Sequence, residues 1–185
     1  MKPVERSEIL DYVTYGEQRD AIRPGVLAAK EPRRIIVADG TLTFLFENRD
    51  TVRYQVHEML RTEQIVKEAD IAHELSTYNE LLGGDGELGC TLLIGIDDEK
   101  VRDDKLRAWV NLCDHLYAKV GGEKVRPTFD PRQVGDDRLS SVQYLKFPVG
   151  PKAPTALGCD HPELTVQAEL TDAQRSALQA DLDAD

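Results

Sequence analysis

The residues of this 185-residue chain best suited to chemistry fall in two places. One is a charged stretch holding Tyr54, Glu58, Arg61 and Glu63; the other is a repeated tripeptide, Cys113-Asp-His115 and Cys159-Asp-His161. Carboxylates with an imidazole are adequate for general acid–base work or for a hard metal. Counted at about 100° per residue on a helix, Glu58 and Arg61 project to the same side as Ile65, Ala69 and Ala72, the side that should meet the core. Two readings follow. The pair is a buried ion pair that fixes how a strand enters a helix, with Tyr54 bonded to it. Alternatively it faces a ligand or metal, since buried charge is costly to desolvate and is enriched at functional sites.

Other motifs are incomplete. His57-Glu58-Met-Leu-Arg61 and His73-Glu74-Leu-Ser-Thr77 put arginine and threonine where a helical zinc-protease motif needs its second histidine. Asp70-x-x-His73, with Glu63 upstream, has di-iron spacing, but a di-iron bundle needs a second copy on another helix. On a helix, positions two apart diverge by about 200°, so Cys113 should be core and His115 solvent-facing. Cys159 and His161 read as a loop before Pro162, where they could converge as metal ligands, short of the usual four. Gly84-Asp-Gly86-Glu-Leu-Gly89 matches a nucleotide-binding string in reversed context, with a helix before it and a strand after it. No G-x-S-x-G nucleophile signature occurs.

The elements that must position these residues read as follows. Pro3 to Lys30 gives two short helices, the first capped by Ser7 and the second with Pro24 in its first turn. RRIIVA and TLTFLFE flank Asp39-Gly40 as a hairpin with a two-residue type I′ turn. In the stretch Asp50–Leu82, Val52, Tyr54 and Val56 alternate as a short strand, and helical spacing takes over near His57. Two stripes then follow, Ile65-Ala69-Ala72 and Ile71-Leu75-Tyr78-Leu82, opposite a solvated row of Glu63, Lys67, Asp70 and Glu74. Glycines 83–86 end that helix. Cys90–Ile96 is a buried strand, and Asp97-Asp98 cap a second long helix whose apolar stripe runs from Leu106 to Val120. Strands at Lys124–Phe129, Ser141–Pro148 and Leu164–Leu170 precede a final helix, opened by the Thr171–Gln174 capping box and ending near Leu182. Hairpin and late strands imply antiparallel pairing. The class is α+β, a mostly antiparallel sheet packed against two long helices with short helices at both ends, in a single domain over 1–185.

Composition bounds the function. A net charge of −11 argues against a nucleic-acid partner. The acidic residues gathered from Asp160 to Asp185 read as a solvated end. No apolar run approaches the ~20 residues of a membrane span, and there is no signal-peptide pattern. The odd count of 3 cysteines makes no disulfide framework, so a reducing cytoplasm is expected.

The strings YQVHEMLRTEQI, YNELL, the glycine-rich turn and CTLLI carry a family resemblance. With Arg33-Arg34, the Val142–Phe147 strand and Asp160-His161-Pro162, they make the chain similar, over nearly its whole length, to the bacterial domain-of-unknown-function family 3501. That family more usually has glutamine where His57 stands, which argues against His57 as a ligand. The resemblance supplies no mechanism. By the genes its members neighbour, it implies a role in bacterial redox or peroxide defence beside rubrerythrin-like and iron–sulfur proteins.

The expectation is a non-catalytic accessory protein that binds a ligand or partner, its ligand set Tyr54, Glu58, Arg61, Glu63 and Asn79, with room for a homodimer; no cofactor is assigned. The alternative is an enzyme or metal protein with Glu58, Arg61, Glu63 and His161 drawn together, catalytic candidates Glu58, Arg61 and His161, metal candidates Cys159 and His161. It requires His161 near Glu58 with a concave pocket between them.

Overall fold

The computed structural model describes residues 1–135 and 137–184; Asp185, counted above in the acidic end, lies outside them. In chain order the first half contains α1 (Tyr12–Lys30), β1 (Arg34–Val37), β2 (Leu42–Phe46), α2 (Arg49–Glu63), α3 (Glu68–Asn79) and β3 (Leu88–Ile94). The second half contains α4 (Glu99–Ala108), α5 (Leu112–His115), β4 (Leu116–Val120), β5 (Glu123–Val125), β6 (Val142–Phe147), β7 (Ala156–His161), β8 (Leu164–Glu169) and α6 (Asp172–Leu182). The strands form two four-stranded antiparallel sheets, ordered β1-β2-β3-β6 and β5-β4-β7-β8. This is the expected α+β class, with two sheets rather than one.

Alternation along β1, β2 and β3 sends Ile35, Phe44 and Leu92 inward, where they meet Leu116, Ala118 and Leu157 of the second sheet. Leu106, Trp109 and Leu112 from α4–α5 and Leu178 from α6 close this core. A second cluster is helical: Val52, Val56 and Leu60 of α2 pack with Ile71 and Leu75 of α3 and with Val4 and Ile9 of the N-terminal arm. The β1–β2 turn centres on Asp39-Gly40 as expected, but the loop is four residues long (38–41) rather than two. Thr41 N–H donates to the Ala38 carbonyl at 2.9 Å across Asp39 and Gly40, both at positive φ. Ala38 is also at φ +54°, so regular pairing starts one residue back, at Val37–Leu42.

Several local expectations are corrected. Pro3–Lys30 holds one long helix, α1, capped by the Asp11 carboxylate, and Pro24 lies inside it. The alternation Val52-Tyr54-Val56 is helical: Val52, Val56 and Leu60 are an i, i+4, i+8 stripe, and the Asn48–Thr51 capping box starts α2 at Arg49. α2 and α3 are separate, because Gln64 takes a left-handed φ of 53° and ends α2 without any glycine. Ala69 and Ala72 are consequently exposed, and only the Ile71–Leu75–Leu82 stripe is buried. The helix read as running to Val120 stops at Ala108, and Leu116–Val120 is β4, with Leu116 and Ala118 facing the core. Cys159 and His161, expected in a loop, lie on strand β7.

The glycine string from Gly84 to Gly89 has a packing role. A Cβ on Gly89 would sit 1.8 Å from the Leu81 carbonyl oxygen, and Gly86 is at φ +66° against Gly150.

Candidate functional site

Glu58 faces α1, not a cleft. Its Oε1 accepts from the Tyr15 hydroxyl at 2.5 Å and from Arg19 Nε at 2.7 Å, while Oε2 accepts from Arg19 at 3.0 Å. Arg61 stands further off, at 3.9 Å. The Arg19 hydrogen bond chiefly holds the Glu58 carboxyl below the usual range, and burial first, then Glu58, pushes the Tyr15 hydroxyl up. His57 stacks on Tyr15 with centroids 4.6 Å apart and an interplanar angle of 9°. Its Nε2 accepts the Leu10 N–H at 2.9 Å, and burial pulls its pKa down to about 4. The charged stretch therefore fastens α2 to α1.

The other expected ligand residues disperse. Tyr54 does not bond Glu58; its ring lies under the Lys30 ammonium, 5.0 Å from centroid. Asn79 is taken up by the N-terminal arm, accepting from Val4 N–H at 2.8 Å and donating to the Val4 carbonyl at 2.9 Å. Glu63 is exposed at the end of α2, near enough to Tyr78 for its charge to raise that hydroxyl's pKa.

The two Cys-Asp-His tripeptides meet. Cys159 and His161 lie on β7, where i and i+2 share a face, and His161 stacks edge-on to His115 with centroids 5.0 Å apart. One hydrogen-bonded ladder fixes every proton. Glu163 N–H donates to His161 Nδ1 at 3.2 Å, so His161 Nε2 carries the proton and donates to Asn111 Oδ1 at 3.2 Å. Asn111 Nδ2 then donates to His115 Nε2 at 3.3 Å, leaving His115 Nδ1–H for Asp160 at 3.3 Å. Arg126 first, then Lys124, hold the Asp160 carboxyl far below its ordinary range. His161 thus offers neither ring nitrogen as a free lone pair. Cys113 and Cys159 are buried, and burial pushes the Cys113 thiol up to about 12. Among the described residues no three His, Cys, Asp or Glu side chains are grouped to hold a metal.

Glu58 belongs with the helical cluster and His161 with α5 and β7; no cleft found among the described residues is lined by both. The structure does not assemble Glu58, Arg61, Glu63 and His161 into one site.

A cleft does occur elsewhere, between α3 and β6. Its volume is ≈ 600 Å³, and its walls are more apolar than polar. α3 and the turn after it supply Glu74, Thr77, Tyr78, Glu80 and Leu81. β6 supplies Tyr144 and Lys146 on the face turned away from the core, and the segment 128–133 supplies Phe129 and Asp130. That segment is held along the edge of β6. Thr128 and Lys146 exchange backbone bonds of 2.7 and 2.8 Å, and the Gln133 side-chain amide pairs with the Tyr144 backbone at 2.7 and 3.1 Å. Burial chiefly raises the Tyr78 hydroxyl pKa, aided by Glu74, Tyr144 and Glu63. Sequence reasoning missed this cleft, because its aromatic walls come from positions 78, 129 and 144, which no local motif links. The available signal was Tyr144, an aromatic at an outward position of a strand.

Fold and site together define an α+β protein with two antiparallel sheets and an aromatic cleft bordered by carboxylates. Residues 3–182 match the family described as Protein of unknown function (DUF3501), and the chain belongs to that family. It is similar to a protein from Burkholderia pseudomallei whose crystal structure is described as that of a novel protein of unknown function. The two are 32% identical, with 98% of this chain and 100% of that one covered and a TM-score of 0.88. No curated protein matches the chain.

Proposed function

We propose that this protein is a non-catalytic binding protein that holds a small ligand in the cleft between α3 and β6. The cleft carries the reading: at ≈ 600 Å³ it falls in the range of small-molecule sites, with aromatic walls and a few polar groups to orient a guest. Binding is favoured over chemistry because the polar atoms of Glu58 and His161 are already taken up by Tyr15, Arg19, Asn111 and Glu163. The role proposed lies in bacterial redox or peroxide defence in the cytoplasm, beside rubrerythrin-like or iron–sulfur proteins, and the genes that members of the resembling family neighbour are what supports its redox setting. Amide-resolved NMR against a small-molecule fragment set tests the binding role. Shifts should concentrate on residues 74–81, 128–133 and 144–146, and Tyr144→Ala should weaken the hits about ten-fold by loss of one aromatic wall. Fragment shifts confined to other surfaces would sink it.

A partner-binding reading is favoured by the outer face of the first sheet. Ile36, Thr43, Leu93 and Val142 stand in one cross-strand row, with Ile36 and Leu93 exposed at 51% and 37%. A second copy of the chain is the occupant proposed. Light scattering should show a dimer that Leu93→Lys dissociates; a monomer at micromolar concentration would rule it out.

A further inference from the structure

We infer that the guest of the α3–β6 cleft is an organic cation with a flat apolar body, an inference that rests on the binding role proposed above. Among the cleft's ionisable walls, the carboxylates Glu74, Glu80 and Asp130 face a single ammonium, Lys146. Asp130 is already engaged by the exposed Arg132 at 2.5 Å, and the same guanidinium interacts at longer range with Glu80, so the carboxylates outnumber the nearby cations three to two. Among the described residues no cationic side chain comes within 4.0 Å of Glu74 or Glu80. Both sit on or just beyond α3, next to Tyr78. Phe129 and Tyr144 belong to the facing walls.

This combination selects by charge. An aromatic face presents negative quadrupole to a cation, and carboxylates beside it add a direct counter-charge. Tyr78 remains a neutral phenol under these conditions, because burial and the neighbouring carboxylates disfavour its ionised form. A phosphate or carboxylate guest would meet Lys146 but would be repelled by Glu74 and Glu80. The chain's net charge of −11 acts in the same direction at long range, drawing cations and excluding anions. A small inorganic cation would leave the apolar walls wet, so the flat organic body follows from the cleft's lining.

Three probes with one ring system and different charge test this: 2-naphthylmethylammonium, 2-naphthylmethanol and 2-naphthoate, titrated by NMR and calorimetry at low and high salt. The ammonium should bind at least about ten-fold tighter than the alcohol, and naphthoate weakest. Salt should weaken only the ammonium. The double substitution Glu74→Gln with Glu80→Gln should bring the ammonium down to the affinity of the alcohol and leave the alcohol unchanged. Lys146→Gln should act oppositely and tighten the ammonium. The alcohol serves as the internal control for folding of each variant. Equal or tighter binding of the alcohol or naphthoate in the cleft would overturn the charge preference and leave the binding role intact. Failure of all three probes to move cleft resonances would overturn both.

Discussion

His57 is a buried imidazole held neutral by burial, with a pKa near 4 against an ordinary 6.5. Between those values the unfolded chain binds a proton that the folded chain does not, so stability rises with pH across the window. The contribution is complete above pH 6.5 and is lost as pH falls toward 4, amounting to about 3 kcal/mol. His57→Gln keeps an acceptor for the Leu10 N–H and removes the titration. Urea unfolding at pH 7 and pH 4.5 should show a marked loss for the natural protein and a much flatter response for the variant. Beside it, Arg19→Met should lower the urea midpoint, since the Glu58 carboxylate loses its counter-charge and keeps only the Tyr15 hydroxyl as a close donor. Adding Glu58→Gln should recover part of that loss. A double-mutant cycle with no coupling would show that the Glu58 network does not fasten α1 to α2.

At the scale of elements, the acidic C-terminal end has a structural role for one of its members. Asp181 on α6 accepts two bonds of 2.7 Å from Arg33, which follows α1 directly, and one of 3.3 Å from Asn48, the cap of α2. Arg33 and Asp181 side chains are only 12% and 6% exposed, so α6 is tied by a nearly dry ion pair to residues far upstream. Asp181→Ala leaves the guanidinium without its partner and should cost about 3 kcal/mol. Hydrogen exchange should report the loss first on α6, around Leu178. Unchanged protection there would mean that apolar packing alone docks the helix. Asp160 is likewise engaged rather than solvated, whereas Asp172 and Asp183 are exposed as expected of such an end.

Across the whole molecule, the inward faces of both sheets share one core, which holds Cys90, Cys113 and Cys159. Burial raises all of these thiol pKa values, so native protein should react negligibly with a thiol reagent and fully after unfolding. Fast labelling of the native state would show that this core opens locally. The sequence alone determined what depends on neighbours along the chain. The Asp39-Gly40 turn and the Thr171–Gln174 box rest on contacts within a few residues, and the apolar run near Cys90 marks a buried strand, although its partners β2 and β6 are remote in sequence. It misplaced α2 because five residues of alternation fit both periods, and missed the α2–α3 break because Gln64 carries no glycine-like signal. Tertiary structure decided what the charges do. A carboxylate at position 58 reads the same whether it faces a ligand or Arg19, and only the packing of α1 brings Arg19 to it. The cleft, likewise, exists only because α3, the 128–133 segment and β6 converge, a juxtaposition set by long-range packing.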